Sequence, residues 1–186
     1  MDAASRPDPS SPAARLCLSC GLCCDGSLYT AVRLAPSDSI ADLQAAGLPI
    51  RIEGERTLFP QPCAAHQHGC CQIYAIRPYG CQQFRCRVLA ACEDGSRSWE
   101  DAEALVARVQ RLRVVVLSAW ATIESPPPGA GLADLQRRMA ADAEMTPAQT
   151  LRWAPVLLPL GRLRALLQDH FLVPAASAAH EASDSP

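Results

Sequence analysis

Ten cysteines fall between Cys17 and Cys92 of this 186-residue chain, and none follows. The first four read Cys17-Leu-Ser-Cys20-Gly-Leu-Cys23-Cys24. Two successive two-residue gaps ending in a Cys-Cys pair gather sulfurs on a tight loop around one point, as a metal centre requires and an apolar core does not. Bacterial ferredoxins hold cubane clusters with the same gaps and a remote further cysteine. Zinc sites more often take one CxxC pair from each of two knuckles. The spacing therefore leans towards an iron–sulfur cluster, a four-iron cubane before others, with zinc as the alternative.

Neighbouring residues in extended backbone point to opposite sides. One of Cys23 and Cys24 is thus free to serve a first centre while the other faces a second metal or a packed interior. The same holds for Cys70-Cys71, so two centres are compatible with the ligand count. The second dense segment is Cys71-Gln-Ile-Tyr74-Ala-Ile-Arg77-Pro78-Tyr79-Gly-Cys81-Gln-Gln-Phe84-Arg85-Cys86. Pro78 suits the first position of a helical turn, which places Cys81 near helix N-terminal amides that favour a thiolate. Arg77, Arg85 and Arg87 bring positive charge to a centre that thiolates leave anionic, and Arg77 is the expected cofactor-contacting residue among them. Tyr74 and Phe84 read as core, His66 and His68 as exposed loop residues before they read as ligands, and Cys92 as a reserve ligand. No catalytic set is evident, and whether the chain is an enzyme stays open.

These residues need elements to hold them. Hydrophobic content of 49% supports a core, and nine aromatic residues leave it mainly to Leu, Val and Ala. A net charge of −2 argues against broad nucleic-acid binding. Every Lys/Arg position is Arg, which removes lysine chemistry. No signal-peptide core and no apolar run of membrane length is present, so a cytoplasmic protein off the membrane is expected, in a compartment where dense cysteines favour metals over disulfides. An unidentified protein partner is compatible with all of this.

Residues 1–14 and 174–186 read as disordered leader and tail, 15–95 as the cysteine-rich metal-binding domain and 98–173 as a helical region. Within the first, a short strand is expected over Leu28–Leu34, a helix opened by Pro36-Ser37-Asp38 and stopped by Gly47, and a hairpin of Ile50–Ile52 with Thr57–Phe59. Within the second, Ser98 caps a helix with Leu105, Val109, Leu112, Val116 and Ala119 on its core face. Leu132–Glu144 forms another helix. Thr146-Pro147 starts a third, interrupted at Pro155 and Pro159 before Leu160–Phe171. The fold class is α+β, mainly α, with an irregular cysteine region and short hairpin packed against a C-terminal helical lobe.

Cys17-x2-Cys20-x2-Cys23-Cys24, then Cys63, then Cys71-x-Ile-Tyr74-x2-Arg77-Pro78-x2-Cys81 resembles the CxxCxxCC family of zinc- or iron-chelating proteins, also described as Fe–S-cluster-containing cysteine cluster proteins. The resemblance covers roughly residues 17–86. It implies Cys17, Cys20, Cys23, Cys24, Cys63, Cys71 and Cys81 as metal ligands, with Cys86 as an eighth; Cys70 and Cys92 fall outside the pattern. Gln82 stands where relatives often carry Arg. The same cysteine domain occurs in longer flagellin lysine methylases, but this chain shows no Gly-rich loop for an adenosyl cofactor, which places methyl transfer behind the metal readings. The expected function is redox or sensing through an iron–sulfur cluster; the alternative is a structural zinc module presenting a helical partner-binding lobe.

Overall fold

Ser11 and Pro12 start the first helix. Ser11 Oγ accepts the Ala14 amide at 3.2 Å and proline occupies the first turn, where its missing N–H costs nothing. The computed structural model describes residues 10–141 and 145–172, and α1 runs Pro12–Cys20. Of the expected leader, Pro12–Ala14 therefore belong to α1, with Ala14 buried. The expected tail and residues 1–9 lie outside the described residues.

The chain is α+β and mainly α. After α1 come β1 (Ala31–Arg33), α2 (Ile40–Ala45), β2 (Arg51–Glu53) and β3 (Arg56–Pro60). Two short strands follow, β4 (His66–Gln67) and β5 (Cys70–Cys71), then a 3₁₀ turn over Tyr74–Ile76. The helices α3 (Tyr79–Gln83), α4 (Arg87–Glu93), α5 (Trp99–Ile123), α6 (Leu132–Ala141) and α7 (Pro147–His170) complete the order. The three-stranded sheet is antiparallel in the order β1-β3-β2, and β4 pairs antiparallel with β5.

Two apolar cores form among the described residues. The larger lies between α5 and α7 and takes in α4 and part of α1: Leu16, Leu89, Val109, Val116, Trp120, Val156, Leu160 and Leu163 are among its buried members. The smaller gathers Leu34, Leu43, Leu48, Phe59, Cys63, Ala65 and Ile73 beneath the three-stranded sheet. Strands of two to five residues bury too little to be stable alone.

Three local expectations change. The strand at 28–34 contracts to Ala31–Arg33. Asp38 does not open α2, which Ser39 caps; its carboxylate instead accepts the Ala35 amide at 2.8 Å and the Tyr79 amide at 2.7 Å, tying the turn before α2 to the start of α3. Pro155 and Pro159 do not interrupt α7. Each proline withdraws a donor from the carbonyl four residues earlier, at Leu151 and Pro155, and both residues are exposed, so solvent can take over the bond. Trp153, Val156, Leu160, Leu163 and Leu167 meanwhile keep the opposite face buried. The helix expected to reach Glu144 is described to Ala141, and its last residues lie outside the described ones.

Candidate metal centre

The four cysteines of the first motif are not on one loop. Cys17 and Cys20 sit three apart on the last turn of α1, hence on one face of it. Gly21 then ends the helix with φ +65°, its amide donating to the Cys17 carbonyl at 3.3 Å. Cys23 and Cys24 follow in a turn closed by Cys24 and Asp25 amides on the Gly21 carbonyl, both 2.9 Å.

This turn is anchored from three sides. Gln110 of α5 donates its side-chain amide to the Ser19 and Cys20 carbonyls at 2.7 and 3.0 Å, satisfying acceptors that a helix end leaves open. Asp25 pairs with Arg113 of the same helix at 3.0 Å. Burial pushes the Asp25 carboxyl upward, with Ser27 and Arg113 opposing it. On the third side the His66 ring lies over Gly21: a Cβ there would meet His66 Nε2 at 2.7 Å. His66 Nε2 is buried and makes no hydrogen bond. Gly21→Ala is therefore expected to combine left-handed strain of about 1–3 kcal/mol with displacement of the ring. A melting temperature lowered by several degrees would bear this out, and an unchanged one would contradict it.

The thiols divide into two groups along the line between the two cores. Cys17, Cys20 and Cys86 pack against the large core, whereas Cys63 is part of the small core and Cys24, Cys71 and Cys81 pack against it. Apart from the contact between Cys23 and Cys24, their mutual charge follows the same division. Burial raises each member, and neighbouring thiols add to it at Cys17, Cys20, Cys23, Cys24, Cys71 and Cys81. Cys23 is opposed by Cys20, Cys24, Cys86 and Cys17, and Cys24 by Cys71, Cys63 and Cys81. Burial pushes Cys20 and Cys81 up to about 12 from the ordinary 9.0. One group is thus Cys17, Cys20, Cys23 and Cys86; the other is Cys24, Cys63, Cys71 and Cys81. The Cys23–Cys24 peptide joins them, and the Cys63 amide donates to the Cys24 carbonyl at 2.7 Å.

Each group contains two sulfurs that face the backbone amide two residues on. These are Cys20 with Leu22 and Cys86 with Val88 in the first, Cys63 with Ala65 and Cys71 with Ile73 in the second. Amides aimed at sulfur favour the thiolate and tune any metal it holds. Cys86 also caps α4, its Sγ accepting the Leu89 amide at 3.4 Å, so Cys86 receives the helix-amide contact expected for Cys81. Cys81 itself lies in the first turn of α3, behind Pro78.

Among the arginines, Arg77 stacks on Tyr74, with its guanidinium carbon 3.9 Å from the ring centroid. Arg85 pairs with Glu93 at 3.2 Å on the surface, and Arg87 reaches the Gln168 carbonyl near the end of α7. Tyr74 and Phe84 are half-buried and border the site rather than filling a core: Tyr74 lies beneath Arg77, and Phe84 meets Tyr29 edge-on at 5.0 Å. Cys92 is buried in the large core, its Sγ 3.7 Å from the Ser98 carbonyl, and behaves as a small apolar side chain. Cys70 pairs across to Gln67 in the small ribbon, and His68 is exposed with φ +52°. His170 ends α7.

Eight soft sulfur donors in two groups of four suit zinc or iron–sulfur centres. As the side chains stand, no group of three or more His, Cys, Asp or Glu among the described residues is disposed to hold a metal ion. All ten cysteines are free of disulfides. No helix among the described residues is long and apolar enough to cross a membrane. Compared with protein-family models, curated proteins and solved structures, the chain matches none.

Neutral buried thiols make a further prediction for the metal-free, reduced protein. The folded state holds these protons more tightly than the unfolded chain, whose thiols ionise near 9.0. Their contribution is therefore complete below that value and is lost as pH rises from 9.0 towards about 12. Melting temperatures should decline across this window; a flat profile would contradict the burial of the thiols.

Proposed function

We propose that this chain is a metal-thiolate protein that holds iron–sulfur clusters in two four-cysteine centres and serves redox or sensing chemistry in the cytoplasm. The observation that carries the reading is the division of eight cysteines into two groups of four, each with two sulfurs facing backbone amides. The cysteine-cluster family that the motifs resemble supports the same chemistry. Cys17, Cys20, Cys23 and Cys86 would hold one centre, and Cys24, Cys63, Cys71 and Cys81 the other. A cluster supplies one-electron exchange when bound. The chain's own part is to bury the sulfurs, aim amides at them and keep Arg77 nearby.

A second reading, structural zinc with a partner-binding helical lobe, draws support from α7. Leu151 and Leu158, two helical turns apart, are 77% and 71% exposed. Purification without oxygen separates the two readings. A brown protein absorbing broadly near ~400 nm and containing iron and sulfide supports the first. A colourless protein with stoichiometric zinc overturns it in favour of the second.

A further inference from the structure

We propose that the cleft between the Gly26–Thr30 turn, α6 and α7 is a binding site for a small monocarboxylate, with Arg164 as its anchor. The site is independent of what the cysteines hold. The cleft has a volume of about 220 Å³. Pockets for drug-sized ligands run from about 300 to 1,000 Å³, so the occupant here is a shorter molecule.

Three separated parts of the chain build the cleft. Gly26 turns with φ +81°, and a Cβ there would lie 3.1 Å from the Ala133 Cβ, so the missing side chain lets the turn close on α6. The turn is then fixed by its own backbone: the Ser27 amide donates to Asp25 Oδ1 at 2.8 Å and the Leu28 amide to the Leu22 carbonyl at 3.2 Å. Gln136 is contributed by α6. Arg164 and Gln168, four residues apart and hence on one face, are contributed by α7.

The lining is of two kinds. Leu28, Leu167 and Leu172 supply apolar surface for a short hydrocarbon chain. Gln136, Arg164 and Gln168 supply side-chain donors, and none of these three side chains is hydrogen-bonded or ion-paired to another described residue. Ser27, nine-tenths buried, adds an Oγ that lies near the Asp25 carboxylate without hydrogen-bonding to it. A buried hydroxyl in that state gains from a ligand oxygen. Arg164 is the only charged residue among the described ones that line the cleft, and Asp25, behind the turn, is already paired with Arg113 at 3.0 Å. A single guanidinium offers a planar fork of donors that matches a carboxylate, with no second cation for a phosphate dianion.

The test titrates acetate and butyrate into the full-length protein while its amide chemical shifts are followed, with n-butylamine and 1-butanol as comparisons at equal ionic strength. Butyrate is expected to give saturable shifts confined to Gly26–Thr30, Gln136 and the stretch from Arg164 to Leu172. Acetate should bind more weakly, on the order of tenfold, because it lacks the two methylenes that the leucines would cover. The amine should give no saturable shift there. Arg164→Gln should weaken butyrate binding on the order of tenfold, whereas Arg162→Gln, which removes a neighbouring arginine outside the cleft, should leave it unchanged. Both arginines are exposed, so neither substitution should disturb folding. Butyrate shifts that do not saturate, equal binding of n-butylamine or 1-butanol, or equal butyrate affinity in the Arg164→Gln and wild-type proteins would each overturn the site.

Discussion

Cys24→Ser protein is expected to retain about half of the wild-type metal, with the loss confined to the centre completed by Cys63, Cys71 and Cys81. Cys20→Ser should show the reciprocal loss, confined to the centre of Cys17, Cys23 and Cys86. The reason is the placement of the two sulfurs. Cys24 is surrounded by the thiols around the small core, Cys20 by those against the large one. Only three residues separate them in the chain, so a purely sequential effect would treat them alike. Losing one of four ligands should also remove about 3–5 kcal/mol of stability, or roughly 10–15 °C in melting temperature for a chain of this size. Full metal content in Cys20→Ser, or identical losses in both variants, would contradict the division.

Removing metal altogether should unfold one part of the molecule and spare another. Structural zinc in small sites contributes about 10–16 kcal/mol of apparent binding free energy, as much as the whole stability of an ordinary domain. The small core has little else to hold it: strands of at most five residues and a handful of buried side chains around Phe59. The pair α5 and α7, with 25 and 24 residues, packs around Val109, Val116, Trp120, Val156 and Leu160 without using any ligand. Chelation under reducing conditions should therefore abolish hydrogen-exchange protection in β1–β3 while α5 and α7 remain protected. Loss of protection in both parts together, or in neither, would show that the metal does not staple the small core.

The cysteines of the proposed centres stood out in the sequence because metal ligation would constrain their spacing directly. The two-residue gaps marked the first motif, and neighbouring Cys23 and Cys24 already suggested opposite directions. Which remote cysteine joins which group was not legible. That depends on α1 meeting both α4 and β5, a tertiary fact with no local signature. The start of α1 was written in Ser11-Pro12 but merged with a Pro/Ser-rich stretch, so the motif read as a loop rather than a helix end. The continuity of α7 was hidden for a different reason. Proline penalties are local, whereas the buried face of Trp153, Val156 and Leu160 that outweighs them is not. Gln110, Arg113 and His66 gave little sign of their roles, since each acts on a backbone or carboxylate far away in the chain.

The most direct test of the account counts metal and free thiols in the same anaerobically purified sample. Ten cysteines less eight ligands leaves two, Cys70 and Cys92. The native protein is expected to yield no more than these two thiols to a thiol reagent. The same sample should contain about eight irons and about eight sulfides per chain, as two cubanes require. Denaturation with a chelator should then release the remaining eight. A native sample with metal for one centre only, or with four of the eight assigned cysteines freely reactive, would contradict the two-centre arrangement.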